Sequence, residues 1–476
     1  MTGSKPRIAV LLLVAAATIP AHAESRRTPS APAPWLAHIG GEGAETVFGI
    51  AEDRQLCLTG TFISSVTFGT GKHAETLKAE TTDDIYVACY EKSGQLAFAT
   101  RFGARRADGP RGIAALPDGG VVITGLFAHH LGAGGARTLT SDGSADVFLI
   151  RLDAQGNEIW ARRFGGRRAD IGVAVSVDHD GNILLAGSFE ETLLYRVGDK
   201  TKKLNSIGSL DAFVMKLDAQ GEPIWARRFG GPESDEAAAI AAGRDGEVLL
   251  AGTFRGEAGT DGLASSLAAQ GYADAFVAAF SADGNPRWAR KISGDNQERV
   301  GGLAVDIDGR IFLAGSFQNV IEMPDQVTYE SLGSTDLYVA RFAPDGRLQK
   351  SASFGGKLTE LVQSLAVAPD GTLLLTGYFQ GRADFAPGPE IKELSSGGAA
   401  NTGAFLLELG PNFEFLAAEA IGGEGLTMGF GVVGTRDGQI AVTGLFNDRI
   451  DVRVPGTKVL EARGKTDVYV LRRPRL

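Results

Sequence analysis

The chain has 476 residues, 65 of them glycine, and a formal net charge of -10. That length exceeds what one compact core usually serves, so several domains, a repeat array or a large closed β architecture is required. Abundant glycine with few helix-favouring runs selects short strands joined by turns, and the acidic balance argues against a nucleic-acid partner, which needs a basic footprint.

Residues 1–23 read as a secretory signal. Lys5 and Arg7 precede a 12-residue apolar run, Ile8 to Ile19, and Ala21-His22-Ala23 supplies a small-x-small cleavage pattern. Twelve residues are too few to span a bilayer, and no Cys follows the cleavage point to carry a lipid. The expected product is therefore periplasmic or secreted and not membrane-spanning. Residues 24–34, ESRRTPSAPAP, read as a flexible lead-in.

From Trp35 to Arg473 the chain is an array. Arg151 to Gly166, RLDAQGNEIWARRFGG, returns 65 residues later as Lys216 to Gly231, KLDAQGEPIWARRFGG, with 13 of 16 positions identical. A Gly-x-Phe at the end of an apolar strand marks seven copies, at Gly60, Gly125, Gly187, Gly252, Gly315, Gly377 and Gly444, spaced 62 to 67 residues apart. Each copy holds four strand-like runs. In the fourth these are PIWARRF, AAAIAA, EVLLAGTF and DAFVAAF, and the third run is apolar at consecutive positions, as in a strand covered on both faces. Asp-Gly between the second and third runs, at Asp118, Asp180, Asp245, Asp308, Asp370 and Asp437, predicts tight hairpins, and the first copy departs with Asp53-Arg54. Gly94, Gly156, Gly221, Gly284 and Gly346 mark a second turn, between the fourth run and the next copy's first.

The chain starts with an unpaired first-type strand at Trp35 and finishes with an unpaired fourth-type strand at Asp467 to Arg473. Pairing the two removes both exposed edges. The predicted fold is all-β: a seven-bladed β-propeller of four-stranded antiparallel blades over residues 35–473, closed when the N-terminal strand joins the last three strands.

Gly-Gly-x-x-x-Asp, an apolar strand ending at Asp-Gly-Asn, Leu-Ala-Gly-Ser-Phe, and Asp-Ala-Phe-Val-x-Lys-Leu-Asp-Ala-x-Gly together resemble the seven-bladed β-propeller (SBBP) repeat of bacterial secreted and surface proteins. The resemblance covers residues 35–473. It implies a propeller and an exported location, and no agreed activity, catalytic residue or cofactor. Copies six and seven diverge most, with Lys350 and Ala417 where the others have an aromatic.

Trp35, Trp160, Trp225 and Trp288, with Phe98, share one repeat position and read as rings filling the gaps between blades. Two sets of acids also recur. Glu45, Asp108, Asp170, Asp235, Glu298 and Glu360 follow the second glycine position by four residues, with Thr427 in the seventh copy. Asp84, Asp146, Asp211, Asp274, Asp336 and Asp467 open the fourth strand, with Gly403 as the exception. Strand parity places both on one face with the long loops. The first set is the candidate binding ring: it could take Ca²⁺ or another hard cation, or accept hydrogen bonds from loop N–H groups. No other cofactor and no catalytic residue is indicated, and His129-His130 lacks a further metal ligand.

Arg101, Arg162, Arg163, Arg227, Arg228, Arg290 and Lys291 form a basic stripe, read as a solvated face or a docking strip for an acidic partner or polysaccharide. Cys57 and Cys89 fall on strands expected to be neighbours, where a disulfide can form, although Val122, Leu184 and Leu249 fill the Cys57 position elsewhere as plain core. Seven long loops, at about residues 63–83, 127–145, 190–210, 255–273, 318–335, 380–402 and 447–466, differ while the strands do not. A monomeric, non-catalytic scaffold for a protein or surface glycan is the leading expectation. Alternatives are a glycan-acting enzyme using two carboxylates of the acidic face and an envelope-assembly factor.

Overall fold

The computed structural model describes residues 33–476 except 81–82, 104–108, 134–138 and 453–458. The expected signal and most of the lead-in, together with Asp108, lie outside the described residues.

Seven four-stranded antiparallel sheets are formed by residues 49–103, 109–164, 170–229, 236–294, 299–354, 360–424, and 427–474 with Trp35–Gly41. These are blades one to seven. Blade three shows the order: Asp170–Val177 innermost, then Ile183–Phe189, Asp211–Leu217 and, outermost, Pro223–Phe229. The repeat is thus offset from the blade by one strand, because the first-type run of each copy becomes the outer strand of the preceding blade. Neighbouring inner strands touch in sequence around the ring, and the last, Thr427–Gly434, meets the first, Gly49–Glu52. Trp35–Gly41 pairs with Asp467–Pro474, Trp35 opposite Arg472 and Ile39 opposite Val468. The predicted seven-bladed ring and its closure are as observed.

Apolar runs without alternation follow from this stacking. Both faces of a blade meet a neighbour, so Ile183–Phe189 and Asp211–Leu217 are buried at every position. The described core divides into seven clusters, each drawn from two adjacent blades. In one, Leu249 and Val277 of blade four pack with Leu313 and Tyr338 of blade five. The seam cluster joins Ile39, Val468 and Val470 to Leu58 and Tyr86.

The Asp-Gly turns are tight hairpins, as expected, with three-residue loops: Asp178 N–H bonds to the Asn182 carbonyl and Gly181 N–H to the Asp178 carbonyl. Only the glycine need be left-handed in such a loop, and Gly181 has φ of 81°. The reading of the long connections as loops needs correction. Each contains a two-stranded hairpin, such as Thr192–Val197 with Lys200–Asn205 in blade three. Each hairpin also clips to the outer strand of the preceding blade, through ladders such as Ser293 to Glu322 or single bridges such as Gly165 to Leu194. An outer strand otherwise leaves N–H and C=O groups unpaired, and the clip satisfies part of that edge.

The repeated aromatic grips the next blade. Trp160 in blade two lies on Gly221 of blade three's outer turn, where a Cβ would come within 2.8 Å of the indole. Phe98 on Gly156, Trp225 on Gly284, Trp288 on Gly346 and Trp35 on Gly94 repeat the contact. Each indole N–H donates to a carbonyl of the gripped turn: Lys92, Ala219, Ala282 or Pro344, at 3.1, 3.3, 2.8 and 3.0 Å. The divergent copies obey the same geometry. Blade six puts Phe413 at the turn position that is glycine elsewhere, its ring 3% exposed and edge-on to Phe312. Bulk now comes from the turn, and blade five answers with Lys350, whose ammonium donates to the Asn412 carbonyl at 2.5 Å. Ala417 of blade six faces blade seven, whose third and outer strands are joined by no hairpin turn, so a ring there has nothing to grip.

Replacing Trp225 by Ala removes an anchor 6% exposed. The expected cost is about 3–5 kcal/mol of stability, read by denaturant unfolding, whereas Lys350→Ala is expected to cost under about 1 kcal/mol.

Candidate functional site

The two carboxylate sets meet at the blade junctions. The chain entering the third strand of one blade runs briefly parallel to the chain entering the inner strand of the next. Asp170 N–H donates to the Ala145 carbonyl at 2.9 Å, Asp235 to Leu210 at 2.7 Å, Glu298 to Ala273 at 3.0 Å, Glu360 to Thr335 at 3.0 Å and Glu45 to Thr466 at 2.9 Å. Each first-set acid is thereby brought beside a second-set aspartate: Asp170 with Asp146, Asp235 with Asp211, Glu298 with Asp274, Glu360 with Asp336, Glu45 with Asp467.

These acids face protein, not solvent. Glu45, Asp170, Asp235, Glu298 and Glu360 are 0% exposed. Four of them accept the backbone N–H four residues back, from Gly41 at 3.0 Å, Gly166 at 2.7 Å, Gly231 at 2.6 Å and Gly356 at 2.8 Å. The Gly-Gly pair exists to let this happen. A Cβ on Gly165 would sit 2.7 Å from the Asp146 carboxylate, and one on Gly166 would sit 1.9 Å from the Thr192 carbonyl of the clipped hairpin. The second-set aspartates accept the N–H four residues back in the same way, Asp146 from Asp142 and Asp211 from Ile207, both at 3.0 Å.

The basic stripe is corrected by the same geometry: it is largely engaged within the protein. Alternate members turn to opposite duties. Arg101, Arg163 and Arg228 reach Asp84, Asp146 and Asp211 at 2.6, 2.6 and 3.0 Å, and Lys291 lies 3.9 Å from Asp274. Their neighbours Arg162, Arg227 and Arg290 lie over Trp160, Trp225 and Trp288 at 5.2, 6.0 and 5.7 Å. In blade seven the place is taken by His38, whose Nε2 lies 2.5 Å from the Asp467 carboxylate. The two exceptions in the acid sets belong to a single junction. Gly403 of blade six stands where its partner would be Thr427 of blade seven, and Ala420 replaces the arginine. At the preceding junction Ser353 stands at the arginine position while Asp336 and Glu360 are kept, so the cation can be lost without the acids.

Burial is the main cause of shifted protonation here. Together with the adjacent aspartate, it pushes Glu45, Asp170, Glu298 and Glu360 up to about 8 and Asp235 up to about 7, against the pull of the loop N–H donors where these are present. Raised carboxylates in an open cleft would suggest acid–base chemistry. Cavities of about 820, 690 and 550 Å³ lie instead in grooves beside the hairpins, and no ring carboxylate lines any of the three. No group of three or more His, Cys, Asp or Glu among the described residues has metal-binding geometry. No described helix is long and apolar enough to cross a membrane. Cys57 and Cys89 oppose each other in register on Leu56–Phe62 and Asp84–Tyr90 and form a disulfide with Cα atoms 4.1 Å apart.

No family model matches the chain. It is 29% identical over 185 residues to the regulatory protein FlaEY of Caulobacter vibrioides, covering 37% of this chain and 18% of that protein. It is 21% identical over 384 residues to an uncharacterized WD repeat-containing protein, L264, of Acanthamoeba polyphaga mimivirus, covering 67% and 27%. The chain therefore spans less than a third of these curated relatives. Among solved structures it is similar to the β-propeller domain of the Trilobed protease from Pyrococcus furiosus, with TM-score 0.41, 10% identity and coverage of 90% and 93%. It is also similar to Sqt1 from Chaetomium thermophilum, with TM-score 0.39, 12% identity and coverage of 93% and 100%.

Acids whose folded pKa is raised favour the native state below their unfolded value of about 4, and that contribution is lost as pH rises through the folded value. Thermal stability is therefore expected to fall between pH 6 and pH 9. In Asp170→Asn, which keeps an oxygen acceptor for Gly166 but cannot ionise, the fall is expected to be shallower and the variant to match or exceed the parent at pH 9. A stability that rises over this range would contradict the assignment.

Proposed function

We propose that this chain is an exported, monomeric, non-catalytic propeller of the SBBP-repeat kind, serving as a rigid binding scaffold for a protein or surface glycan. The observation that carries the reading is the sealing of the acidic sets. The groups with the protonation behaviour of catalytic acids are fully buried, and they are accounted for by holding blades together. Repetition supports the same view, since Trp, Gly-Gly and the acids of the repeat each have a structural partner at most described junctions, and a ligand site seldom needs the same group many times over. Variation is concentrated in the seven clipped hairpins, which share one face of the ring.

Export rests on the character of residues 1–23 and is supported by the Cys57–Cys89 bridge, which suits an oxidising compartment. The names of the relatives, one regulatory and one WD-repeat, are in keeping with a binding role. Ca²⁺ is not required by this reading: Glu45, Asp170, Asp235 and Glu360 each accept a loop N–H, and Arg101, Arg163 and Arg228 reach Asp84, Asp146 and Asp211.

A glycan array combined with a hydrolysis screen on the chain lacking residues 1–23 tests the proposal. Retention of one or more ligands without product release is expected. Turnover of any glycan, abolished by substituting a ring acid without loss of fold, would replace the scaffold by an enzyme.

A further inference from the structure

The blade-three hairpin, Thr192–Val197 with Lys200–Asn205, departs from the symmetry of the ring in one respect. Arg196, Lys200, Lys202 and Lys203 all stand exposed on it, and none has a carboxylate partner among the described residues. Other hairpins differ: blade five's carries Glu322 and Glu330, and blade six's pairs Arg382 with Glu393.

A groove runs along each side of this hairpin. The one toward blade two, about 550 Å³, is lined by Arg162, Arg196 and Thr201. The one toward blade four, about 690 Å³, is lined by Lys203, Asn205, Arg227 and Asn285. Arg162 is bound to Glu222 at 2.9 Å and Arg228 to Asp211 at 3.0 Å, so they are already engaged. Arg227 has no carboxylate partner among the described residues: its guanidinium lies over Trp225 and donates to the Ala226 carbonyl at 3.0 Å. Glu222 and Asp261 enter the grooves from the far walls, leaving the cations of the hairpin in excess.

We propose that this hairpin and its two grooves bind an acidic polysaccharide, with Arg196, Lys203 and Arg227 taking its carboxylates. The inference rests on the scaffold reading and names the ligand class for it. Charge complementarity selects an anion, and an arginine fork suits a carboxylate. The groove walls then choose the polymer. Protein partners are held by aromatic or aliphatic anchors seated in pockets, and of the described residues lining the two grooves Tyr195 is 8% exposed and Leu194, at 39%, is the large apolar side chain open to solvent. Single-stranded nucleic acid needs exposed aromatic faces for its bases, and the indoles beside these grooves are covered. A hydrated uronate chain needs neither. It uses scattered cations and the amide groups of Asn205 and Asn285.

The test is affinity electrophoresis of the chain lacking residues 1–23 in gels containing polygalacturonate, alginate or neutral dextran, with poly-glutamate and a single-stranded oligonucleotide as competitors, in 50 and 500 mM salt. Binding to the uronate polymers and not to dextran is expected, weakened at least about fivefold by the higher salt. Arg196→Glu with Lys203→Glu should weaken it by about tenfold or more, while the matched charge reversal Lys72→Glu with Lys357→Glu changes it less than twofold. Circular dichroism melting shows that both variants are folded. No retention by either uronate polymer, equal losses in the two variants, or preference for poly-glutamate or the oligonucleotide overturns the proposal. Shortening of a retained polymer would sustain the surface and overturn the non-catalytic reading, so the two fail separately.

Discussion

A four-stranded antiparallel sheet with apolar side chains on both faces cannot bury either face by itself, and that constraint organises the whole molecule. Every blade must be covered twice, and a ring is the arrangement in which each cover is also covered. The junction is therefore the unit of stability. It is built from a core cluster, an aromatic set on a glycine turn, and a short parallel crossing stapled by carboxylates. The carboxylates are expensive to bury alone. Between blades two and three they are tolerated because Asp170 accepts a loop N–H, Asp146 takes a guanidinium, and burial raises the Asp170 carboxyl to about 8.

Much of this was legible in the residues. The Gly-x-Phe spacing counts the blades, and the unpaired strand types at Trp35 and Asp467 specify the closure. The shared position of the tryptophans marks an interblade contact without showing what it touches. Its partner, the turn glycine 58 to 61 residues on in the chain, was visible as a separate periodicity, but no local pattern links the two.

Other features were hidden for a physical reason. Arg162 and Arg163 look alike on paper, and only strand parity together with the position of Asp146 sends one over an indole and the other into an ion pair. The clipped hairpins consist of two- to six-residue strands whose pairing partner belongs to the preceding blade, so periodicity within the loop says little about them. The cations of the blade-three hairpin were countable, in Lys200-Thr-Lys-Lys203, yet their meaning came from the engagement of their neighbours. Repetition obscured function here, because the recurrent charges were structural and the distinguishing ones occurred once.

The seam between Trp35–Gly41 and Asp467–Pro474 has a further consequence for how the circle is made. Every other sheet is assembled from strands close together in the chain, whereas this one joins residues more than four hundred positions apart. The entropy of drawing such distant segments together grows only slowly with their separation, but it falls on a single blade. Six sheets can thus acquire their hydrogen bonds as soon as each has emerged, and the seventh waits until Asp467–Pro474 has been made. Until then the first strand is a latch without a catch, and its partner's edge stays open.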